Sequence, residues 1–134
     1  MAQSIVSASL GLAWTPPFAL PNSGNSTFNL QAMCSAQNVG QIDVPQATAP
    51  ADIIAIPFGT IVQCLFFIIK NGMSSDIGVR LNGSATDNFH IPSGGTVAIL
   101  SPQAPMITPL SSASIVTTAT PGTTEIVSFW LYGN

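Results

Sequence analysis

Three residues of the types found in hydrolytic triads lie close together in the sequence: Ser84, Asp87 and His90. His90 is the single histidine of the chain and lies between the apolar residues Phe89 and Ile91. A Ser-His-Asp triad is defined by its geometry in space, and the chain lacks the strained G-x-S-x-G turn that presents a nucleophilic serine. We therefore expect no catalytic site, and we expect His90 on the outward face of a short strand.

The acidic side chains are scattered singly along the chain. They are Asp43, Asp52, Asp76, Asp87 and Glu125. A glycosidase needs a facing pair of carboxylates, and a calcium loop needs several oxygens within a few residues, so this spacing predicts neither. The Gly94-Gly95 pair is not followed by a lysine or a predicted helix, so it predicts a turn with positive φ rather than a phosphate-binding loop. We expect no metal and no cofactor.

The chain contains two cysteines, Cys34 and Cys64. Cys64 lies inside an apolar run, and the first ten residues lack the basic start and continuous apolar segment of a secretory signal. Both observations favour a pair of small buried hydrophobic side chains over a disulfide bond. The sequence leaves open whether the two cysteines are paired.

Charge is scarce in this sequence of 134 residues, because only 5% of the side chains are charged and the formal net charge is -3. Lys70 and Arg80 are the only lysine and arginine, which argues against nucleic acid as a partner since phosphate binding needs clustered basic residues. The longest apolar run, residues 61–69, is interrupted by Gln63 and is too short to span a membrane. Neutral polar residues replace the missing charges, so either an assembly hides much of the surface or the chain is poorly soluble alone.

The elements that must position these residues are predicted to be short strands. Eleven prolines and eleven glycines interrupt the chain, and no run shows a clean helical period. The predicted strands are Ser4–Trp14, Thr27–Ala36, Gly40–Val44, Asp52–Pro57, Ile61–Lys70, Asp76–Asn82, Asn88–Pro92, Thr96–Ser101, Ser111–Thr118 and Thr124–Tyr132. This spacing predicts one all-β domain over residues 1–134, an antiparallel β-sandwich of the jelly-roll type.

One predicted strand is apolar on both faces. Strict alternation places Leu65, Phe67 and Ile69 on one face and Cys64, Phe66 and Ile68 on the other. The opposite sheet of a sandwich covers only one of these faces, so the second requires a folded-over arm of the chain or a neighbouring subunit.

The next predicted strand alternates from Asp76 onward and has one polar face. The Asn71-Gly72 pair between the two strands predicts a tight hairpin. Lys70 and Arg80 would then lie together at the rim of the covered apolar face, and Lys70 could form a weak ion pair with Asp76.

The proline-rich segment TPPFALPNSGNS, residues 15–26, joins the first two predicted strands. Prolines stiffen an extended chain and remove hydrogen-bond donors, so this segment should lie along a surface rather than inside a sheet. Two interpretations stay open: an ordinary long loop, or an arm that packs Phe18 and Leu20 on a neighbouring subunit.

The run IIKNGMSSDIGVRLNGSATDNFHIPSGGTVAIL, residues 68–100, resembles small virion proteins of tailed bacteriophages. In those proteins an apolar strand ending in Lys-Asn leads to a strand of the "DI-V-LNGS" type and then to an "IP-GG" turn. The resemblance implies a jelly roll or another β-sandwich, and a role as a capsid decoration (cement) protein or as a neck or tail component.

We therefore expect a non-enzymatic structural protein of the virion, assembled in the host cytoplasm. It would bind the outer shell, bridge subunits of the major capsid protein, and form a homo-oligomer, with a trimer as the expected state. The expected interface residues are Phe18, Leu20, Phe66, Ile68, Lys70 and Arg80. The alternative is a receptor- or carbohydrate-binding β-module of a phage tail, neck or fibre, because Trp14, Trp130 and Tyr132 lie near predicted strand ends.

Overall fold

The computed structural model describes residues 2–14, 24–101 and 109–134, and of residues 12–14 and 24–26 it describes the backbone alone. The described part contains ten β-strands and no helix. They are β1 (Ser4–Trp14), β2 (Gly24–Cys34), β3 (Ala36–Val44), β4 (Ile53–Ile56), β5 (Cys64–Asn71), β6 (Ile77–Leu81), β7 (Phe89–Ile91), β8 (Thr96–Leu100), β9 (Ala113–Thr117) and β10 (Glu125–Gly133).

Eight of these strands form two packed antiparallel sheets, which confirms the predicted β-sandwich. The first sheet has the strand order β3-β10-β5-β8, and the second has the order β4-β9-β6-β7. The pairs β3/β10, β4/β9, β5/β8 and β6/β7 are nested in sequence, each lying between the members of the previous pair. β1 and β2 pair only with each other in a separate two-stranded sheet, which we call the arm.

The core lies between the two four-stranded sheets. The alternation along β10 places the core there, because its residues alternate between a fully buried inner face and a half-exposed outer face. The buried residues of this core include Ile42 and Val44 of the edge strand β3 and, from the central strands, Phe67, Ile69, Ile77, Val79, Ile115, Val127, Phe129 and Leu131. Each such side chain contributes about 1.5–3 kcal/mol when it leaves water, so this layer supplies most of the driving force for folding.

The predicted hairpin between β5 and β6 is wrong, because the two strands belong to different sheets. The connection instead crosses the sandwich, and the completely buried Asn71 holds it. The Asn71 amide nitrogen donates to the carbonyls of Ser75 (2.8 Å) and Ile91 (3.0 Å), while its oxygen accepts from the Met73 N–H (2.9 Å). One asparagine side chain thus satisfies three backbone groups of the crossing at once.

The strict alternation predicted for β5 fails at its first residues. The register between β10 and β5 shifts between Tyr132 and Gly133, so one extra residue of β5 is accommodated. Cys64 and Phe67 face the sandwich core, whereas Leu65 and Phe66 both belong to a cluster on the outer face. A side chain at Gly133 would collide with the Gln63 carbonyl, so the irregularity requires glycine there.

Candidate interaction surface

The arm has one apolar face and one mostly polar face. Directly opposed residues of an antiparallel pair lie on the same side. The mostly polar face contains one apolar pair, Ile5/Met33, and the apolar face contains three. They are Val6/Ala32, Ala8/Leu30 and Leu10/Phe28. No charged residue occurs before Asp43, so the arm carries no charge at all.

The base of the arm packs on the outer face of the first sheet. Ala32 and Cys34 form a buried cluster with Leu65 and Phe66, and Phe66 is 1% exposed. Partly buried residues that join this cluster are Val6, Ala8 and Leu30 from the arm with Leu100 and Tyr132 from the sheet. The second apolar face of β5 is therefore covered at Phe66 by β1 and β2 of the same chain. The sequence analysis instead assigned an arm to the proline-rich residues 15–26, of which 15–23 lie outside the described residues.

Hydrogen bonds fix the bend where the arm meets the sandwich. Ser35, between β2 and β3, donates through its N–H to Oδ1 of Asn134 (3.0 Å) and to the Gly133 carbonyl (3.0 Å). The Ser35 hydroxyl donates to the same Oδ1 at 3.1 Å. The Asn134 backbone is held in turn by the N–H groups of Val62 and Gln63, each 2.8 Å from its carbonyl oxygen. The base of the arm is thus attached to the sandwich by packing and by specific polar contacts.

The apolar face of the arm continues past the base, and there it is exposed. Leu10 is 53% exposed and Phe28 is 56% exposed, although they extend the same face that packs on the sheet through Ala8 and Leu30. We call Leu10 and Phe28 the far half of the arm. Exposed apolar residues that continue a packed face are a typical sign of an interaction surface.

A second uncovered apolar feature lies on the outer face of the first sheet, one step along the strands from the covered Phe66. The cross-strand partners Val39, Trp130, Ile68 and Ala98 form it, and we call them the outer row. Val39 is 48% exposed, Ala98 is exposed, and Trp130 and Ile68 are half-buried. None of the four belongs to the cluster under the arm.

The row beyond the outer row is polar and contains Lys70. Lys70 is exposed, and its cross-strand partners are Ser128 and Thr96. Lys70 therefore lies at the edge of the apolar outer face, where the sequence predicted a rim. No ion pair between Lys70 and Asp76 occurs among the described residues, and the Asp76 carboxylate instead accepts from the Ser93 N–H (3.3 Å).

Arg80 lies on the second sheet, away from Lys70, and belongs to a small polar cluster with Asp87 and His90. Arg80 Nε is 2.8 Å from Asp87 Oδ1, and His90 Nε2 is 3.1 Å from Asp87 Oδ2. The hydrogen bond from Arg80 lowers the pKa of Asp87 below its usual range. A side chain at Gly78 would collide with the Asp87 carboxylate, so glycine on β6 makes room for the cluster.

This cluster brings together only two members of the triad considered from the sequence. The Ser84 hydroxyl donates to the Thr86 carbonyl at 2.7 Å and forms no described hydrogen bond with His90. The His90 side chain is 58% exposed, which confirms its predicted outward orientation. The arrangement is a surface ion-pair group that links β6, the following loop and β7.

Both cysteines are buried, free thiols. Burial raises the pKa of Cys64 to about 11, and it also raises the pKa of Cys34. The Cys64 thiol donates to the Phe66 carbonyl at 3.2 Å. They behave as small apolar residues, as the sequence favoured.

The predicted interface residues thus have different fates. Phe18 and Leu20 lie outside the described residues, Phe66 is covered by the arm, and Ile68 and Lys70 lie on the exposed outer face. Arg80 is on the other sheet, so its predicted place beside Lys70 is wrong. Leu10, Phe28 and Val39 were not predicted from the sequence, and Trp130 was predicted only for the carbohydrate-binding alternative. The alternation in SASLGL and the charge-free first 42 residues are the signals that indicate the arm.

Within residues 2–14, 24–101 and 109–134, no group of three or more His, Cys, Asp or Glu side chains is arranged to hold a metal ion. The same part of the chain contains no helix with the length and hydropathy of a membrane span. Comparisons of the chain with protein-family models, with curated proteins and with solved structures found no match.

Proposed function

We propose that this protein is a non-enzymatic structural component of a virion, a capsid decoration protein that binds the outer shell and bridges capsid subunits. The observation that carries the proposal is the charge-free arm, whose Leu10 and Phe28 are more than half exposed. An enzyme presents converging polar groups in a pocket, whereas this surface offers an extended apolar strip. Such a strip is suited to contact with other protein surfaces.

We further propose that β3 to β10 form a jelly roll. The four nested pairs support this proposal. A long antiparallel hairpin with four strands on each side gives this order of neighbours when it folds over into two sheets. Jelly rolls occur in viral capsid proteins and in lectins, so the fold is compatible with the virion setting and does not by itself establish it.

The scarcity of charge also supports a bridging role. Burying an unpaired charge costs several kcal/mol, so charged surfaces tolerate only partners that pair each charge. A neutral apolar and hydroxyl-rich surface can instead pack in several closely related environments without such a cost. A shell presents its decoration proteins with many near-equivalent subunit positions, and the composition of this chain suits that requirement.

The decisive experiment is the copy number of the protein per purified virion, measured by quantitative mass spectrometry against a major structural protein. We expect hundreds of copies, because a decoration protein follows the number of capsid subunits. A handful of copies would favour a tail, neck or fibre component. Complete absence from purified particles would overturn the virion assignment.

One observation keeps the carbohydrate-binding alternative in view. Trp130 is half-buried on the outer face beside the exposed Val39, and aromatic faces of this kind support stacking against a sugar ring. A glycan array with the wild-type protein and Trp130→Ala tests this function. Binding of a defined glycan that is lost in Trp130→Ala would favour it, and no binding would exclude the glycans tested.

A further inference from the structure

We infer that the far half of the arm packs on the outer row of a second copy of this chain. The inference deepens the proposed function by naming one partner and its contact surface. Both surfaces of the proposed contact are present on the molecule. One is formed by Leu10 and Phe28 on the arm, and the other by the row of Val39, Trp130, Ile68 and Ala98 on the first sheet.

Continuity with the contact inside the chain is the first argument. The base of the arm already packs on this sheet, since Val6, Ala8 and Leu30 join a cluster formed by two residues of β2 and two of β5, which Leu100 of β8 and Tyr132 of β10 also contact. The far half is the next step along the same face of the arm, and the outer row is the next step along the same face of the sheet. The proposed contact therefore repeats, between copies, the chemistry of a contact that the chain makes with itself.

Reach is the second argument. Each arm strand has 11 residues, which extend roughly 36 Å at about 3.3 Å per residue. The four strands of the first sheet span only about 15 Å at a spacing near 4.8 Å. The cluster under the base of the arm already includes residues of β5, β8 and β10, and Leu10 and Phe28 are more than half exposed, so the far half of the arm is available to a neighbouring molecule. A two-stranded sheet is only marginally stable in water, and a partner would stabilise its projecting end.

Charge is the third argument. Neither the arm nor the outer row contains a charged residue, so their contact would bury no unpaired charge. Lys70 lies in the adjacent polar row and stays at the periphery of the contact. Since every copy carries both surfaces, an arm-to-sheet contact closes either reciprocally between two chains or in a ring such as a trimer.

The test uses the purified full chain and its mass in solution, measured by light scattering after size-exclusion chromatography. We expect wild-type protein to form a defined oligomer, and we expect Phe28→Asp and Val39→Asp each to reduce the mass to that of one chain, 13.8 kDa. Ile53→Asp is the matched control, because Ile53 is 57% exposed on β4 of the other sheet. This control should keep the wild-type mass, and all variants should keep the wild-type far-UV circular dichroism spectrum.

A double variant, Phe28→Cys with Val39→Cys, identifies the two surfaces directly. Under mild oxidation we expect disulfide-linked dimers or a closed ring from the double variant and neither product from the single variants. The native cysteines are buried and do not compete. Cross-linking by Phe28→Cys alone would indicate contact between two arms and would overturn the inference.

Three further results would also overturn it. The first is a wild-type protein that stays monomeric up to about 100 µM, where a complex of micromolar Kd would form. The second is loss of the oligomer in Phe28→Asp but not in Val39→Asp. The third is an equal loss of the oligomer in the Ile53→Asp control. The proposed function fails separately. A monomer found at high copy number on virions would leave the function standing, whereas an oligomer absent from virions would leave only the arm contact standing.

Discussion

Asn71 illustrates how one buried polar side chain determines the path of the backbone. Its amide makes three hydrogen bonds to backbone groups of the connection between β5 and β6 and to β7. The sequence marked Asn71-Gly72 as a turn signal, but the side chain serves a crossing between sheets. The distinction depends on which distant carbonyls are nearby, and residue type alone carries no such information.

Asn71→Ala should therefore destabilise the fold. The substitution leaves the Ser75 and Ile91 carbonyls and the Met73 N–H without this partner, and unsatisfied buried groups cost about 1–3 kcal/mol each. The measurement is the free energy of unfolding in urea, with Asn29→Ala on the exposed part of the arm as the control. Equal stability of the two variants would show that water replaces the Asn71 contacts.

Phe66→Asp and Arg80→Ser should have opposite consequences. Phe66 is buried between the first sheet and the arm, and a carboxylate there would lose its hydration without a partner, at a cost of several kcal/mol. Arg80 is only part-buried on the second sheet, so its loss should be tolerated. We expect loss of folding or of assembly for Phe66→Asp, and normal assembly with only a small loss of stability for Arg80→Ser, assayed by thermal unfolding and by mass in solution. A normally folded and assembled Phe66→Asp protein would contradict the packing of the arm.

The Arg80, Asp87 and His90 cluster predicts a pH dependence. Because Arg80 holds the pKa of Asp87 below its usual range in the folded state, the unfolded chain binds a proton more readily at acidic pH. The contribution of Asp87 is present above about pH 4, the ordinary range of an aspartate, and is lost as the pH falls through its lowered folded pKa. Asp87→Asn should reduce the stability at pH 7 and have less effect at pH 3, measured by urea unfolding at both values. An equal effect at both pH values would show that the carboxylate charge is not what stabilises the cluster.

At the level of elements, the sequence predicted the strands well and their neighbours poorly. The predicted Ser4–Trp14 has the observed bounds of β1, and the predicted Thr96–Ser101 differs from β8 by one residue. Alternation and turn residues are local signals, which is why they located the strands. The pairing of β5 with β10 rather than β6 depends on contacts distant in sequence, and the irregularity at Leu65 depends on Gly133 across the sheet.

The sequence also predicted only part of the candidate interaction surface. The sequence indicated that the Phe66 face must be covered, because a doubly apolar strand cannot face water. It left open whether a folded-over segment of the chain or a neighbour would provide the cover, and it did not identify β1 and β2 as that segment. It also placed Arg80 beside Lys70 because it treated adjacent strands as paired.

Asn134→Ala should loosen the arm while leaving the sandwich folded. The Asn134 side chain accepts hydrogen bonds from the Ser35 N–H and hydroxyl and donates to the Met33 carbonyl at 3.4 Å, all at the bend below the arm. We expect faster amide hydrogen exchange in β1 and β2 and unchanged exchange in β5 and β10. Unchanged exchange in the arm would indicate that apolar packing alone fixes it.

For the molecule as a whole, the scarcity of charge predicts association that is nearly independent of salt. Dissolved salt screens the attraction between exposed charges. At 1 M salt this attraction extends over only about 3 Å. The chain has seven charged side chains, and none lies on the arm. The mass of the oligomer should be the same from 0.05 M to about 1 M NaCl. Dissociation at moderate salt would point to an electrostatic contact instead.

The position of β10 between β3 and β5 has a consequence for the order of folding. β10 is the last of the described strands, yet it occupies the middle of the first sheet, and its partner β3 begins at Ala36, far earlier in the sequence. A nascent chain can close the local hairpin of β1 and β2 early, but the first sheet stays split until β10 has been synthesised. During translation the apolar β5 is therefore unpaired on one side for more than fifty residues of synthesis, an interval in which its apolar side chains are accessible to chaperones.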